Sequence, residues 1–416
     1  MLGFVSDLHL SDTTARATID VAYFIEQLGL LAKYAEEKKI EQLKIVLLGD
    51  IFEVLKSTKW LEHDVRPWQP CKVTHVDTVA GIFKDILESN PSFFEGLRKL
   101  VADYPFVKLE YIPGNHDLPL NTEMGVKARE SLTKSLPLQV SGAEAFQNYL
   151  IDESHGVIAR HGHEWDSSNR YGNGLSAIGD VIVIDLLLQL PIIVARNIGI
   201  EVDDPRLIFL HELDNVRPQS PGVMAQWTLR GLDSLNNLEV SGRKAVENAL
   251  HEVASLLKAA IGSSRFESIE LGTWWMSFLT KLAPAIVKHL GSLSLLRHLV
   301  GDDLEMAGPY REYALNDFEM ADLLGGNFRY IICGHTHRPQ LVPLDLVGRD
   351  QRARLYLNTG TWRRVHSFPS VASGTDGNAA FAQWDEQCLV TIYSDKERSI
   401  GFPAYEFNRI TRGPRS

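Results

Sequence analysis

The chain of 416 residues is long enough for one large domain or two moderate ones. Its composition, 44% hydrophobic and 23% charged, is typical of a globular protein, and its net charge of −11 disfavours a surface built to hold nucleic acid. Three widely spaced cysteines, Cys71, Cys333 and Cys388, argue against a disulfide framework and against a cysteine zinc site. They favour a reducing, cytoplasmic compartment, and the first residues do not resemble a signal peptide.

Short apolar runs alternate with helical patterns from residue 2 to about residue 165. The runs FVSDLHL, KIVLLGDIF, VKLEYIPGNHD and GVIARHGHEWD each predict a buried strand that stops at polar residues. Between them, residues 22–38 and 79–102 show the apolar spacing of helices. This alternation is typical of a layered α/β domain.

The pattern becomes mostly helical from residue 166 to residue 327. Strands return afterwards in YIICGHTH, ARLYLNTGTW, AAFAQWD and LVTIYSD. We therefore predict one α/β domain, formed by residues 1–165 and 328–416, with a helical insertion or cap at residues 166–327.

Two apolar runs lie inside the predicted insertion. Residues 178–200 are apolar enough to suggest a membrane span, but Asp180, Asp185 and Arg196 favour a buried or interfacial helix, because charges are costly at bilayer depth. Residues 272–300 carry apolar side chains at helical spacing and predict a packed helical cap. An apolar substrate cleft, peripheral membrane contact and a dimer face remain alternatives.

Potential metal ligands follow the strands of the predicted α/β domain: Asp7, His9, Asp50, Asn115, His116, His161, His163, His335 and His337. Ligands of α/β sheets gather beyond the carboxyl ends of the strands, so we expect these side chains to meet at one edge. Residues i and i+2 of an extended chain point the same way, which predicts that His335 and His337 aim at one point. Imidazole with carboxylate suits manganese, iron or zinc.

Five motifs follow one another in this chain: D-x-H, G-D-x-x-E, G-N-H-D, H-G and G-H-x-H. In this order the chain resembles the calcineurin-like metallophosphoesterase superfamily. The resemblance implies a layered αββα sandwich and two divalent metal ions, Mn²⁺ first and Fe or Zn as alternatives. It implies one metal on Asp7, His9 and His337, a second on Asn115, His161 and His335, and Asp50 as the ligand of both.

The resemblance also implies how such a site works. A hydroxide that bridges the two metals would attack phosphorus, His116 would act as general acid, and Glu53 would orient His116. Asp117 completes the G-N-H-D motif and is expected to support the ligands. Asn115, His163, Arg338 and Arg363 are expected to bind substrate. The stretch NTGTW (358–362) resembles an element that follows a strand in these enzymes, and we expect it to be structural.

The sequence therefore predicts a metal-dependent hydrolase that cleaves a phosphodiester, a pyrophosphate or a phosphate monoester. The expected substrate is a phosphorylated small molecule or a lipid-linked nucleotide. The inserted cap is similar to that of the UDP-diacylglucosamine hydrolases, which carry arginine where this chain has His116. A non-catalytic metal-binding scaffold, a membrane-peripheral interaction protein and a repair-type nuclease are the alternatives. The acidic charge and an insertion ahead of the last motif disfavour the nuclease.

Overall fold

The structure is a computed structural model, and it describes residues 1–14, 19–139, 144–171, 177–217, 221–231, 235, 241–263, 307–323, 327–347, 352–367, 381–399 and 401–413. Its chain divides into two compact units. The first unit comprises Met1–Trp165, Ala307–Arg363 and Asp385–Arg412. The second comprises Asp166–Met306, Arg364–Trp384 and Gly413–Ser416.

The strands of the described residues are β1 (Leu2–Val5), β2 (Leu43–Leu48), β3 (Val107–Ile112), β4 (Tyr149–Asp152), β5 (Val157–Arg160), β6 (Val216–Arg217), β7 (Tyr330–Cys333), β8 (Pro339–Val347), β9 (Arg352–Thr359), β10 (Arg364–Ser367), β11 (Ala382–Ile392) and β12 (Tyr405–Arg412). The two separate strands predicted in AAFAQWD and LVTIYSD are one long strand, β11.

The α-helices are α1 (Val21–Glu37), α2 (Lys59–Glu62), α3 (Val73–Ser89), α4 (Pro91–Asp103), α5 (Val126–Ser135), α6 (Ile178–Val181), α7 (Gln189–Ile198), α8 (Ile208–His211), α9 (Pro221–Gly231), α10 (Ser241–Ser263), α11 (Ala307–Leu323) and α12 (Asp395–Ser399). A π-helix, Ile182–Leu188, joins α6 to α7. The single helix predicted at residues 79–102 is wrong. Pro91 begins a new helix there, because proline suits a first helical turn and interrupts a helix interior.

Two mixed sheets form the first unit. In one, β1, β2 and β3 run parallel, and β11 lies antiparallel between β1 and β12. In the other, the order is β4-β5-β7-β9-β8, with β5, β7 and β9 parallel and both edge strands antiparallel. The parallel strands are short, buried apolar runs, as expected for strands covered on both faces. This mixed architecture confirms the predicted α/β class.

The two sheets of the first unit share one buried apolar core. Side chains from both sheets contribute to it, among them Phe4, Val46, Ile332, Leu357 and Val390. Helix α11 packs on the second sheet through another buried cluster, which joins Tyr310 and Phe318 to Ile331 and Tyr356. The carboxyl ends of the parallel strands are thereby fixed by packing on several sides.

Helix α1 covers the first sheet through an apolar face at helical spacing. The Asp20 side chain caps its first turn by accepting a hydrogen bond from the Tyr23 backbone N–H at 3.1 Å. Phe24 in this face contacts Phe93 and Trp362, with ring centroids 5.9 and 4.9 Å apart. Trp362 belongs to the NTGTW stretch, so α1 supports the strand end that lies after β9.

The described part of the second unit is mostly helical. Residues Ile178–Ile198 are long and apolar enough to cross a membrane, and 83% of the apolar window is buried inside the structure. Asp185 in the π-helix accepts a hydrogen bond from Gln189 at 2.9 Å, and Asp180 accepts one from Tyr171 at 2.6 Å. These buried acids have polar partners within the unit, as buried charges require. The apolar run at 272–300 lies outside the described residues.

The compact units divide two segments differently from the expected domains. Residues 307–323, expected in the insertion, form α11 and pack on the second sheet of the first unit. Residues 364–367, expected in the α/β domain, form β10, in which His366 pairs with Val216 of β6 in the second unit. Burial of apolar side chains explains the first difference, and strand pairing explains the second.

Candidate metal centre

Polar residues follow the parallel strands of both sheets in the first unit. Backbone hydrogen bonds tie these strand ends together: the Asp7 N–H donates to Gly49 O at 3.0 Å, and the His9 N–H donates to Asp50 O at 2.9 Å. Within the second sheet, the Gly334 N–H donates to His161 O at 2.9 Å. Across the two sheets, His161 Nδ1 donates to Leu48 O at 2.9 Å, and the His116 N–H after β3 donates to Asp50 Oδ1 at 2.8 Å. The five strand ends named by the motifs thus meet in one place.

The residues at these strand ends have an unusual backbone conformation. Asp7, His9, Asp50, His335 and His337 all have positive φ, between 48° and 69°. This left-handed region is uncommon for residues other than glycine, and such strain concentrates at functional sites. It also invalidates the expectation that His335 and His337 point the same way, because neither residue is in an extended conformation.

Among the described residues, three groups of side chains in the site could hold a metal ion. Two of them share Asp50: one is Asp7, His9, Asp50 and His337, all buried, and the other is Asp50, His161 and His335, of which His335 is half-buried. The third group is His9, Glu53 and His116. Within each group the ligand atoms lie within 4.8 Å of one another. His335 and His337 therefore belong to different groups, although only one residue separates them.

The hydrogen bonds of His9 fix which of its nitrogens could bind a cation. Nδ1 lies 2.9 Å from Glu53 Oε2, and this carboxylate favours a proton on Nδ1. In the neutral ring, Nε2 then carries a lone pair, and it lies 3.1 Å from His337 Nε2 and 3.8 Å from Asp50 Oδ2. A carboxylate behind a histidine is the usual way to orient a metal-binding imidazole.

His161 repeats this arrangement in the second group. Nδ1 donates to Leu48 O at 2.9 Å, and Nε2 lies 3.1 Å from Asp50 Oδ2. Burial disfavours the imidazolium of His161, yet the carboxylates of Asp50 and Asp7 raise its pKa to about 10. This position thus favours a positive charge, whether a proton or a metal ion.

Unsatisfied atoms test whether a cation fits these residues. Within the described structure, Asp7 Oδ1 and His161 Nε2 are buried and make no hydrogen bond, although His337 Nε2 lies 3.1 Å from Asp7 Oδ1. Buried polar atoms without partners are costly, and a cation in each of the two groups that share Asp50 would satisfy them. Carboxylate oxygen and imidazole nitrogen are also the donors that Mn²⁺, Fe²⁺ and Zn²⁺ accept. The residues therefore fit divalent cations.

His116 lies beside the shared aspartate. Its backbone N–H donates to Asp50 Oδ1 at 2.8 Å, and its ring Nδ1 lies 2.8 Å from Glu53 Oε1. Burial disfavours its imidazolium, but Glu53 and then Asp50 raise the pKa of His116 to about 9. Glu53 contacts both His9 and His116, one with each oxygen, and these histidines lower its pKa despite burial.

Asp117 supports the turns rather than facing the ligands. Its carboxylate accepts hydrogen bonds from the backbone N–H groups of Gly114, Ile51 and Phe52, the second of these at 2.9 Å. It therefore joins the turn after β3 to the turn after β2. Burial raises the pKa of Asp117 to about 6.

The residues predicted to bind substrate occupy different positions. Asn115, which stands between Gly114 and His116 in the sequence, is buried. Arg338, the residue after His337, is half-buried. His163 is buried with its ring centroid 5.6 Å from that of His161, and burial lowers its pKa to about 4.

Arg363 is 5% exposed and directly follows Trp362, whose backbone N–H donates to Asp7 O at 3.4 Å. The His163 ring lies beside the second ligand group, with its centroid 5.6 Å from that of His161 and 6.5 Å from that of His335.

The sequence interpretation missed several hydroxyl groups that hold Asp7. The Thr361 hydroxyl donates to Asp7 O at 2.8 Å, and the Ser6 hydroxyl bonds the Asp7 carboxylate and lies 2.6 Å from the Thr359 hydroxyl. The NTGTW stretch is therefore a support for a candidate ligand. Its position directly after a predicted strand end was the available signal.

The fold and the site define a mixed α/β protein with a buried histidine and aspartate centre that could hold a metal ion. No protein-family model matches the chain, and no curated protein matches it either.

Proposed function

We propose that this protein is a metal-dependent phosphoesterase with a dinuclear centre, of the calcineurin-like metallophosphoesterase type. The observation that carries the proposal is the position of Asp50. This carboxylate is common to both ligand groups, and its Oδ1 also accepts the backbone N–H of His116. A carboxylate shared by two metal ions, with a histidine beside it, suits hydrolysis of a phosphate ester by metal-activated water and a general acid.

The ligands divide between two cations as the two groups suggest. Asp7, His9, Asp50 and His337 would hold one cation, and Asp50, His161 and His335 the other. Asn115 would join the second set, as the resemblance to the metallophosphoesterases implies. Bound divalent cations supply an activated water molecule and neutralise the charge of the phosphate oxygens.

The residues beside the ligands handle the leaving group. His116 donates a proton to the leaving-group oxygen, and Glu53 holds the ring by accepting from Nδ1, so that Nε2–H is the donor. Glu53 at the same time keeps the proton of His9 on Nδ1 and directs Nε2 to the ligand group. One carboxylate therefore orients a ligand and the general acid together.

The first test is hydrolysis of bis-p-nitrophenyl phosphate and of p-nitrophenyl phosphate by chelator-treated protein that has been reloaded with Mn²⁺. We expect turnover that depends on the metal, with Fe²⁺ and Zn²⁺ compared in parallel. Turnover of the diester directs the search to diesters and anhydrides, and turnover of the monoester alone directs it to phosphatase substrates. Two bound metals without turnover of either compound would instead favour a non-catalytic scaffold.

Asp50→Ala tests the role of the shared carboxylate. We expect loss of bound metal from both groups and loss of turnover, measured by elemental analysis and by the same assay. Asp103→Ala is the control, because Asp103 is an exposed residue paired with Lys99 at the end of α4. Retention of both metals by Asp50→Ala would contradict the shared-ligand assignment.

A further inference from the structure

Asn358 lies near the end of β9, beside the turn that carries His335. Its side chain is fully buried, and its backbone pairs with Cys333, the last residue of β7. The amide nitrogen donates to Gly334 O at 2.6 Å, and the amide oxygen accepts from the Gly360 N–H at 2.9 Å. One side chain therefore joins the turn after β7 to the turn after β9.

The turn after β7 is strained and needs support from outside. The Thr336 N–H donates to Gly334 O at 2.8 Å, which closes a three-residue turn with His335 at its centre, at a φ of 69°. Such turns with positive φ are rare, and they persist only where the surrounding structure holds them. The Asn358 amide donates to the same carbonyl oxygen. It therefore helps to keep His335 in the conformation that brings its ring to the second ligand group.

The turn after β9 leads back to Asp7. Asn358 Oδ1 binds the backbone N–H two residues further on, which is the local bond by which asparagine shapes a turn. Gly360 has a φ of 63°, and a Cβ atom on it would collide with Pro339, so this turn requires glycine. The Thr361 hydroxyl then donates to Asp7 O at 2.8 Å. The turn that Asn358 shapes thus holds the backbone of a ligand in the first group.

The turn after β7 also contacts the Asp7 carboxylate. Oδ2 accepts hydrogen bonds from the Ser6 hydroxyl and from the His335 N–H, the latter at 3.1 Å. The other oxygen, Oδ1, lies 3.1 Å from His337 Nε2. These hydrogen bonds leave Oδ1 of Asp7 for a cation, provided that the turn after β7 keeps its place.

We infer that Asn358 is a positioning residue of the metal centre. It holds the turn with His335 and His337 against the segment that supports Asp7, so that both cation sites form together. The inference rests on the proposed dinuclear centre and adds to it a residue that belongs to none of the ligand groups. Because Asn358 acts through the backbone of the ligands, its loss should weaken the binding of both cations.

Two variants of Asn358 are compared with two controls. Asn358→Leu removes both hydrogen bonds at nearly constant volume, and Asn358→Asp keeps the acceptor and loses the donor. Tyr356→Phe removes a hydroxyl that the Asn358 amide also contacts, at 2.8 Å, and leaves both turns in place. Asn121→Leu is the matched control, because the Asn121 amide likewise bridges two segments: it binds Phe146 O at 3.0 Å and the Phe146 N–H at 2.6 Å.

The affinity for Mn²⁺ is measured by competition with a chelating dye. We expect Asn358→Leu to weaken it by about 10- to 100-fold, the usual effect of removing a group that orients a metal ligand. Asn358→Asp should also weaken it, whereas Tyr356→Phe and Asn121→Leu should bind Mn²⁺ as the wild type does. Thermal unfolding of the chelator-treated proteins shows how far each substitution destabilises the fold itself.

Electron paramagnetic resonance separates positioning from a general loss of stability. Two Mn²⁺ ions that share the Asp50 carboxylate should be magnetically coupled in the wild type. At saturating Mn²⁺, Asn358→Leu should show a weaker coupling, and Asn121→Leu should show the coupling of the wild type. If Asn358→Leu does not fold, Asn358→Asp decides the comparison.

Wild-type affinity and coupling in the Asn358 variants, or an equal loss in Asn121→Leu, would overturn the inference. Turnover separates this outcome from a failure of the proposed function. Two bound metals without turnover in the wild type, with weaker binding in Asn358→Leu, would reject the phosphoesterase and support the role of Asn358. Turnover by the wild type, with unchanged metal affinity in the Asn358 variants, would support the phosphoesterase and reject that role.

Discussion

At the scale of single residues, Glu53 connects the two parts of the site. Each of its oxygens contacts a different imidazole, that of His9 at 2.9 Å and that of His116 at 2.8 Å. Hydrogen bonds to charged groups are stronger than neutral ones, and in a buried site they also fix geometry. The ring that would bind a cation and the ring that would move a proton are therefore held by one side chain.

His116→Ala is expected to keep its metal and to lose turnover by about 10²- to 10⁴-fold, the usual size of a general-acid contribution. The loss should be greater for phenyl phosphate than for p-nitrophenyl phosphate, because the poorer leaving group needs its proton more. Kinetics on the two esters and metal analysis check this, with His251→Ala as a control at an exposed position of α10. Equal losses on both esters would contradict the assignment.

Residue types and their order were sufficient to place the candidate ligands at strand ends, but not to give their conformation. A histidine at i and another at i+2 suggest a shared direction only in an extended chain. The left-handed conformation of His335 and His337 is imposed by the tertiary structure, in which the His335 N–H donates to the Asp7 carboxylate at 3.1 Å. A contact 328 residues away in sequence cannot be read from local pattern.

At the scale of elements, the turn after β3 brings backbone against the shared aspartate. A Cβ atom on Gly114 would collide with the Asp50 carboxylate and backbone and with the His161 ring. Only glycine permits this approach. Asp50 belongs to both ligand groups. Both groups therefore keep their geometry only if residue 114 has no side chain.

Gly114→Ala is therefore expected to weaken metal binding by at least tenfold, because Asp50 must move to admit the methyl group. The metal affinity of the variant is measured by competition with a chelating dye. Gly29→Ala is the control: nothing lies within 4 Å of its added Cβ, and alanine should stabilise α1 by about 1 kcal/mol. Unchanged affinity in Gly114→Ala would show that the turn relaxes without moving the ligand.

The turn between β4 and β5 contains a histidine outside the site. His155 Nδ1 lies 2.9 Å from Asp152 Oδ1, and Nε2 lies 3.6 Å from Glu397 Oε2. The other oxygen of Glu397, Oε1, contacts the amino group of Met1. Burial disfavours its cation, but the hydrogen bonds to Asp152 and then to Glu397 raise the pKa of His155. The folded protein thus binds this proton more tightly than the unfolded chain does.

The sign of the pH dependence follows from that difference. The contribution of His155 to the free energy of unfolding is complete below about pH 6.5, the value of an unperturbed histidine, and is lost as pH rises through the raised pKa. Thermal unfolding in the presence of a chelator should show a greater loss with rising pH in the wild type than in His155→Gln, which keeps the contributions of His116 and His161. If the unfolding midpoint depends on pH in the same way in the wild type and in His155→Gln, His155 is not the cause of the pH dependence.

The elements themselves were predictable where the apolar pattern was strong, as in β2 and α1. The pattern did not show that AAFAQWD and LVTIYSD form one strand, since the polar residues between them looked like an interruption. In β11 the backbone pairs with β12 from Asp385 to Ile392, and its polar side chains Asp385, Glu386 and Gln387 are buried. Pairing with the next strand of the chain thus overrides a local polar signal.

At the scale of the whole molecule, metal binding and stability should be linked. A ligand that binds only the folded state stabilises it by about 2.7 kcal/mol at a free concentration 100 times its Kd. Chelation should therefore lower the midpoint of thermal unfolding of the wild type. Asp50→Ala is the control, because its midpoint should not respond to the chelator. If neither the chelator nor added Mn²⁺ changes the midpoint of thermal unfolding of the wild type, that result would argue against metal binding at this site.

The pairing of β1 with β11 has a consequence for how the protein matures in the cell. Leu2 lies opposite Ile392, so β1 leaves the ribosome almost 400 residues before the strand that it pairs with. The candidate ligands extend from Asp7 to His337, and they are equally dispersed along the nascent chain. Such long-range pairing slows folding and leaves strand edges exposed meanwhile. The nascent chain would therefore complete its metal site only after the segment that carries His337 has been synthesised.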